Sequence, residues 1–212
     1  MIEFLQRSQA EKRRILEHVA RRKGLPPQAI EKDLWICYLL QVLFSTSHKK
    51  ELLFKGGTSL SKAYHLIERF SEDIDLAINP KAIGFERIET KGHIRKLRKA
   101  SHQFVVDDLL QQIKAQLVQT GLEPEFCLAK VPNLQISDQD PETIEVKYKS
   151  IFASNSYLKN KVLIEISARS LLSPRMNLTI KSFLDEVLPE NPYYKGAFSI
   201  NTAKAEKTFL EK

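Results

Sequence analysis

The stretch from residue 52 to residue 78 constrains the fold of this chain more than any other. It begins as an apolar run, turns at Gly56-Gly57, continues as a helix-like segment and ends in a second apolar run that contains Asp73 and Asp75. Short apolar runs bounded by turn residues are typical of strands. The order strand, glycine turn, helix and strand therefore predicts a mixed α+β domain.

The residue types in this stretch also indicate a chemistry. A glycine turn that opens a helix presents backbone N–H groups and a positive dipole end, which suits a phosphate. Asp73 and Asp75 are two residues apart on a predicted strand, so their side chains point to the same face. Mg²⁺ is usually bound by one or two carboxylates together with substrate phosphates. The combination predicts an enzyme that acts on a nucleotide.

The same residues resemble the signature of the AbiEii/AbiGii toxin family, a nucleotidyltransferase group within the DNA polymerase β-like superfamily. Other segments resemble further blocks of that family, so that the resemblance extends over residues 26–212. They are residues 30–35 (IEKDLW), 145–148 (EVKY), 162–170 (VLIEISARS) and 207–212 (KTFLEK).

The resemblance implies an α+β nucleotidyltransferase fold, with a mixed sheet flanked by helices and with two Mg²⁺ ions and an NTP at the site. Asp73 and Asp75 would be catalytic metal ligands, and Glu165 on a later strand would be the third acid. Glu165 also interrupts an apolar run, where a lone charge is costly unless it is paired or binds a metal. A salt bridge to Lys147 or Arg169 is the alternative for Glu165.

The nucleotide-binding residues implied by the resemblance surround the turn. Gly56, Gly57, Thr58 and Ser59 would hold the triphosphate through backbone N–H groups and a hydroxyl, whereas Lys55, Arg69 and Ser71 would contact phosphate or support the acids. The alternatives are a simple tight turn and two solvated aspartates at an exposed sheet edge.

Helical patterns flank the predicted catalytic domain. We expect two N-terminal helices in residues 1–50, a catalytic domain in residues 51–203 and the start of a C-terminal helical region in residues 204–212. Ser8 and Glu11 form a possible capping box for the first helix, which should end near Gly24. Since the family continues into further helices, the C-terminal region is expected to be truncated here, which puts the activity of this form in question.

The charge balance favours a polyanionic partner. The 212 residues carry a formal net charge of +7, with 42% hydrophobic and 28% charged residues. Basic residues gather on one face of a long helical stretch from residue 91 to residue 119, so they are candidate RNA or phosphate contacts, the alternative being a solvated helix face. The candidates are Lys91, Arg95, Arg98 and Lys99, together with Lys147 on a predicted strand.

The sequence shows neither a membrane span nor a leader. The longest apolar run, residues 34–44, is too short to cross a bilayer, and the N-terminus is too charged for a signal peptide. Cys37 and Cys127 have no paired motif that would indicate a disulfide framework. We therefore expect a cytoplasmic protein.

The resulting hypothesis is a Mg²⁺-dependent nucleotidyltransferase that moves NMP from an NTP to an acceptor. The resemblance implies a toxin–antitoxin or phage-defence toxin with a cognate antitoxin protein, and tRNA or another RNA as the acceptor. One alternative is the same chemistry on a small-molecule or protein hydroxyl. The other is a truncated, non-catalytic module that binds nucleotide or RNA.

Overall fold

A computed structural model describes residues 1–67, 71–153, 158–169, 172–192 and 196–210. The helices in this part of the chain are α1 (Ile2–Leu5), α2 (Gln9–Lys23), α3 (Pro27–Leu43), α4 (Gly56–Lys62), α5 (Lys91–Gln103), α6 (Leu110–Gln119), α7 (Phe183–Val187) and α8 (Ala205–Leu210). The strands are β1 (Leu52–Lys55), β2 (Ile74–Ile78), β3 (Cys127–Lys130), β4 (Glu142–Tyr148), β5 (Lys161–Ser167), β6 (Arg175–Ile180) and β7 (Phe198–Ala203). The fold is of the α+β class.

The described strands form one mixed sheet of seven strands in the order β3-β4-β5-β2-β1-β7-β6. Strand β2 is antiparallel to β1 and parallel to β5, while β1 is parallel to β7. The first two strands therefore lie at the centre, with later strands added on both sides. This arrangement is consistent with a nucleotidyltransferase-like fold, as the sequence predicts.

One face of the central strands packs into the core, and the other is more open. In β5, Val162, Ile164 and Ile166 are fully buried, whereas Leu163 and Glu165 between them are partly exposed. The apolar appearance of residues 162–166 suggests a strand covered on both faces, and this expectation is wrong. The more open face of the sheet is the one from which Glu165 projects.

The N-terminal helices pack on the core face of the sheet. The predicted capping box of Ser8 and Glu11 is present at the start of α2, and Gly24 ends that helix in a left-handed conformation. Helix α3 is buried on nearly all sides, including its charged residues Glu31, Lys32 and Asp33. Residues of α2, α3 and the sheet belong to one apolar core.

The long helical stretch predicted from residue 91 to residue 119 is interrupted. Helix α5 leads into a π-helical segment, Phe104–Leu109, which continues into α6. A π-helical turn changes the direction of the apolar face without ending the helix. Helix α4 is shorter than the expected span of 59–67, since it begins at Gly56 and ends at Lys62. Strands β6 and β7 and helix α7 were not predicted, although residues 175–180 alternate polar and apolar side chains.

Candidate active site

Two carboxylates predicted to be catalytic are partners across neighbouring strands. Asp75 of β2 pairs with Glu165 of β5 in the parallel register, and Lys55 of β1 pairs with Asp75 on the other side. Paired residues project from the same face of a sheet. A row of two acids flanked by a lysine therefore crosses three adjacent strands on the open face.

Asp73 lies immediately before β2, two residues before Asp75, and completes a group of three acids. Burial raises the pKa of the Asp73 carboxyl, while Lys32 and Lys161 oppose that rise. Burial, and then the negative charge of Asp73, raise the pKa of Glu165, which Lys55 partly opposes. Because neighbouring negative charges disfavour ionisation, the acids are arranged to gain from a bound cation.

Gly56 brings the backbone of the turn against one of these acids. Its φ is +76°, a conformation that residues with a side chain rarely adopt. A Cβ atom at this position would lie 1.9 Å from Asp75 Oδ2 and 2.4 Å from Asp75 Cγ. Glycine is therefore required here twice, once for the backbone conformation and once for the space occupied by the carboxylate.

The hydroxyl groups after the glycines point inward and hold the turn in place. Thr58 is 1% exposed, and its hydroxyl donates to the carbonyl oxygen of Asp73 and lies 2.8 Å from Ser71 Oγ. Ser59 is fully buried and donates to the carbonyl oxygen of Gly56 at 2.8 Å. These side chains thus position the turn and Asp73, and phosphate binding by this segment stays a prediction for its backbone. Arg69 lies outside the described residues.

A second layer of buried charge supports the site from helix α3. Lys32 forms an ion pair with Glu72, and its Nζ donates to the carbonyl oxygen of Lys159 at 3.3 Å. Asp33 lies 2.8 Å from Nζ of Lys62, at the end of α4. No role was predicted for these residues from the sequence. The signal that could have found them is a run of charges inside an otherwise apolar helix.

Lys147 lies on the open face near the acids, among other lysines. It is the cross-strand partner of Lys161, and both line an open cleft of about 280 Å³ together with Glu145, Lys159 and Asn160. Glu145 lies 2.6 Å from Lys161 Nζ and 3.7 Å from Lys147 Nζ. Glu165 is therefore not the partner of Lys147, because Lys147 is paired with Glu145.

The other candidate RNA contacts lie together on α5. Lys91, Arg95 and Lys99 are exposed and Arg98 is partly so. Arg95 Nε lies 3.8 Å from the Asp138 carboxylate, and Arg98 donates to the Asp138 carbonyl oxygen at 3.5 Å. Two of these four residues are thus bound to the loop before β4.

The carboxylates of the site suit a hard divalent cation that takes its remaining ligands from a substrate. Among the described residues, no group of three or more His, Cys, Asp or Glu side chains is close enough to form a metal site by itself. Two in-register carboxylates and a third nearby nevertheless provide the oxygen ligands that Mg²⁺ prefers, and Mg²⁺ commonly takes its remaining ligands from phosphates and water. Asp73, Asp75 and Glu165 are the residues that would hold it.

Comparison with known protein families assigns the chain. A family model described as nucleotidyl transferase AbiEii toxin, type IV TA system, matches residues 38–212, which is most of the sequence. The chain belongs to the AbiEii nucleotidyltransferase family. The resemblance noted in the sequence is thereby confirmed, and the matched region contains the glycine turn and all three acids. The comparison with curated proteins gives no significant match.

Membership in the AbiEii family establishes the general activity. The chain is a nucleotidyltransferase enzyme of a toxin family, which implies a nucleotide substrate and a cognate antitoxin as partner. None of the described helices is both long and apolar enough to cross a membrane.

Proposed function

We propose that this chain is a Mg²⁺-dependent toxin that transfers NMP from an NTP to RNA in the cytoplasm, with tRNA as the expected acceptor. The observation that carries the proposal is the alignment of Asp75 with Glu165 across β2 and β5, with Gly56 packed against Asp75. Acids that would bind a metal therefore lie beside a glycine turn suited to phosphate, which supports the proposal. The family supports the reaction type.

In the proposed reaction the acceptor hydroxyl loses its proton and its oxygen forms a bond to the α-phosphorus of the NTP. The bond from that phosphorus to the bridging oxygen breaks, and pyrophosphate leaves with the electron pair. Two bound Mg²⁺ ions would stabilise the attacking and the leaving oxygen. Asp73, Asp75 and Glu165 would hold the ions, and Gly56 and Gly57 would orient the triphosphate.

The remaining residues of the site position these groups. Thr58 holds the backbone of Asp73, because its hydroxyl donates to the Asp73 carbonyl oxygen. Lys55 neighbours Asp75 in the register and would neutralise phosphate charge or steady that acid. Such fixed placement is a large part of catalysis in phosphoryl transfer, where the protein supplies mainly orientation and electrostatic stabilisation.

Two features support RNA as the acceptor. The formal net charge is +7, and lysines line the cleft next to the acids on the open face. Positive charge concentrated near an active site attracts a polyanion and raises the rate of encounter. A protein or small-molecule hydroxyl would gain less from this charge.

The test is incubation of the chain with each α-labelled NTP, Mg²⁺ and total bacterial tRNA. We expect label on RNA from the wild type and none from Asp73→Ala/Asp75→Ala or in the presence of excess chelator. Label on a polypeptide would move the acceptor to a protein hydroxyl. Absence of label on any acceptor with every NTP would overturn the proposal.

A further inference from the structure

The lysine cleft, lined by Glu145, Lys147, Lys159, Asn160 and Lys161, carries more positive charge than the fold needs. Glu145 pairs with both Lys161 and Lys147, so a single negative charge faces three lysines. The side chain of Lys147 remains 59% exposed despite that contact. A cleft with an excess of two positive charges that opens to solvent is suited to an anion.

The cleft is a defined part of the sheet rather than a chance gathering of surface lysines. Lys147 and Lys161 are direct cross-strand partners on β4 and β5, so like charges face each other at the closest spacing in a sheet. The backbone of Lys159 is fixed by the Nζ of Lys32, which is almost completely buried. Like charges directly opposite each other destabilise a sheet. A bound anion would offset the repulsion between the two lysines.

The position of the lysine cleft relative to the acids indicates which anion it binds. In the sheet order, the glycine turn follows β1 on one side of Asp75, whereas the cleft belongs to β4 and β5 on the other side. Nucleotidyl transfer places the attacking and leaving oxygens in line, on opposite sides of the α-phosphorus. If the triphosphate lies at the glycine turn, the acceptor therefore approaches from the side of the lysine cleft.

The spacing along β5 supports the same assignment. Lys161 begins the strand and Glu165 is four residues further on, a separation of about 13 Å at the usual rise per residue. A phosphate held at Lys161 is thus too far from Glu165 to be the reacting one. It still adjoins the site, because the β2–β5 register continued by one residue puts Asp73 level with Leu163, two residues from Lys161.

We propose that the lysine cleft binds a backbone phosphate of the RNA acceptor and so places the reacting end of that RNA at the acids. This inference rests on the proposed function, and it adds the subsite that would recognise the acceptor. The phosphates of the NTP itself are the other source of the same chemistry, and the experiment separates the two.

The experiment compares the wild-type chain with Lys147→Ala/Lys159→Ala. These two residues are exposed, and the change leaves the Lys161–Glu145 pair in place. The matched control is Lys49→Ala/Lys50→Ala, which removes the same charge from two exposed lysines before β1, at the end of that strand away from the glycine turn. Lys147→Arg/Lys159→Arg keeps the charge and should restore binding. Circular dichroism of each variant confirms folding.

Two probes are measured at several salt concentrations: fluorescently labelled total bacterial tRNA and an NTP analogue with a non-hydrolysable α–β linkage. We expect the double alanine variant to bind tRNA about tenfold more weakly at low salt. Losing the one proposed phosphate contact should reduce the slope of log affinity against log salt by about 0.7–0.9. Binding of the analogue should be unchanged, and the control variant should match the wild type with both probes.

Other outcomes overturn the inference or separate it from the proposed function. Weaker analogue binding with unchanged tRNA binding would assign the cleft to the phosphates of the nucleotide. Unchanged binding of both probes, with label still transferred to RNA, would overturn the proposed role of the cleft and leave the proposed function in place. Weaker tRNA binding by the variant, with no transfer to RNA by the wild type, would refute the proposed function and retain the cleft as an RNA-phosphate site.

Discussion

Asp75 and Glu165 are direct cross-strand partners on the parallel strands β2 and β5, although they lie far apart in the chain. Both side chains project from the open face of the sheet, and Asp73 adds a third carboxylate next to them. This register fixes Asp75 and Glu165 relative to each other before any ligand binds. The predictions below follow from this arrangement and from the contacts that hold it.

The first prediction concerns the acids. Asp75→Asn and Glu165→Gln should each lower nucleotidyl transfer at least about 100-fold, since even groups that merely orient metal ligands cost 10–100-fold when lost. Asp107→Asn removes the same charge from an exposed position in the π-helical segment and should leave transfer unchanged. The measurement is the initial rate of label transfer at saturating NTP. An active Glu165→Gln enzyme would exclude Glu165 as a ligand.

The second prediction concerns Gly56. Gly56→Ala should lose about 1–2 kcal/mol of unfolding free energy through its left-handed backbone and about 1–3 kcal/mol more through the clash with Asp75. Displacement of Asp75 should also abolish transfer. Gly84→Ala separates the two effects, because Gly84 has a φ of +87° but open space around its Cβ position.

Urea unfolding of the two glycine variants measures the difference. Gly84→Ala should show only the backbone cost and keep its activity. Equal losses of stability in Gly56→Ala and Gly84→Ala would mean that the approach of Gly56 to Asp75 has no energetic consequence.

The third prediction concerns the buried pair that joins α3 to α4. Lys62 Nζ lies 2.8 Å from Asp33 and 3.9 Å from the centre of the Phe183 ring. Burial opposes the charged form of Lys62, but Asp33 and its other neighbours together outweigh it and raise the pKa of Lys62, while burial also raises the pKa of Asp33. Lys62→Met should cost about 3–5 kcal/mol of unfolding free energy, because it leaves the Asp33 charge buried without its partner.

A second variant tests the cause of that loss. Asp33→Asn/Lys62→Met should recover most of the stability, since the amide that replaces the carboxylate carries no charge while its oxygen still accepts the N–H of Phe183. Lys81→Met breaks an exposed pair with Glu86 and should cost less than about 1 kcal/mol. A double variant as unstable as Lys62→Met would point to lost packing rather than to the unpaired charge.

The fourth prediction concerns pH. The pKa values of Asp73 and Glu165 are raised in the folded chain above the ordinary values of 3.8 and 4.5. Between the unfolded and folded pKa values the folded state holds more protons, so the unfolding free energy falls as pH rises through that window. The two acids should therefore destabilise the metal-free chain at neutral pH.

The fourth prediction is measured by urea unfolding in chelator. The wild type should lose stability as the pH rises above about 4, where free carboxyls ionise, relative to Asp73→Asn/Glu165→Gln, which lacks both titrations. Added Mg²⁺ should restore stability to the wild type at pH 7 and not to the variant. Parallel pH curves for the two proteins would show that neither burial nor neighbouring charge raises the pKa values of these acids in the folded chain.

Much of the catalytic unit could be predicted from local patterns. Strand β1, the turn at Gly56-Gly57 and the Asp73–Asp75 pair form one continuous stretch, in which residue type and spacing specify both conformation and chemistry. The capping box at Ser8 and the start of α3 at Pro27 likewise depend on residues that are close together in the sequence. Strands β6 and β7 were missed, although Met176, Leu178 and Ile180 alternate with polar residues in the pattern of a half-buried strand. Their pairing with each other at the edge of the sheet follows only from the tertiary structure.

The sequence by itself determined the family and the glycine turn and predicted the three acids, because each depends on residue types at short spacing. The tertiary structure alone decided which residues meet. The parallel pairing of β2 with β5 placed Glu165 beside Asp75, the register of β4 with β5 gathered the lysines of the cleft, and the burial of α3 paired Asp33 with Lys62. Such contacts join distant segments, and they are fixed only when the sheet and its covering helices exclude water from one shared core.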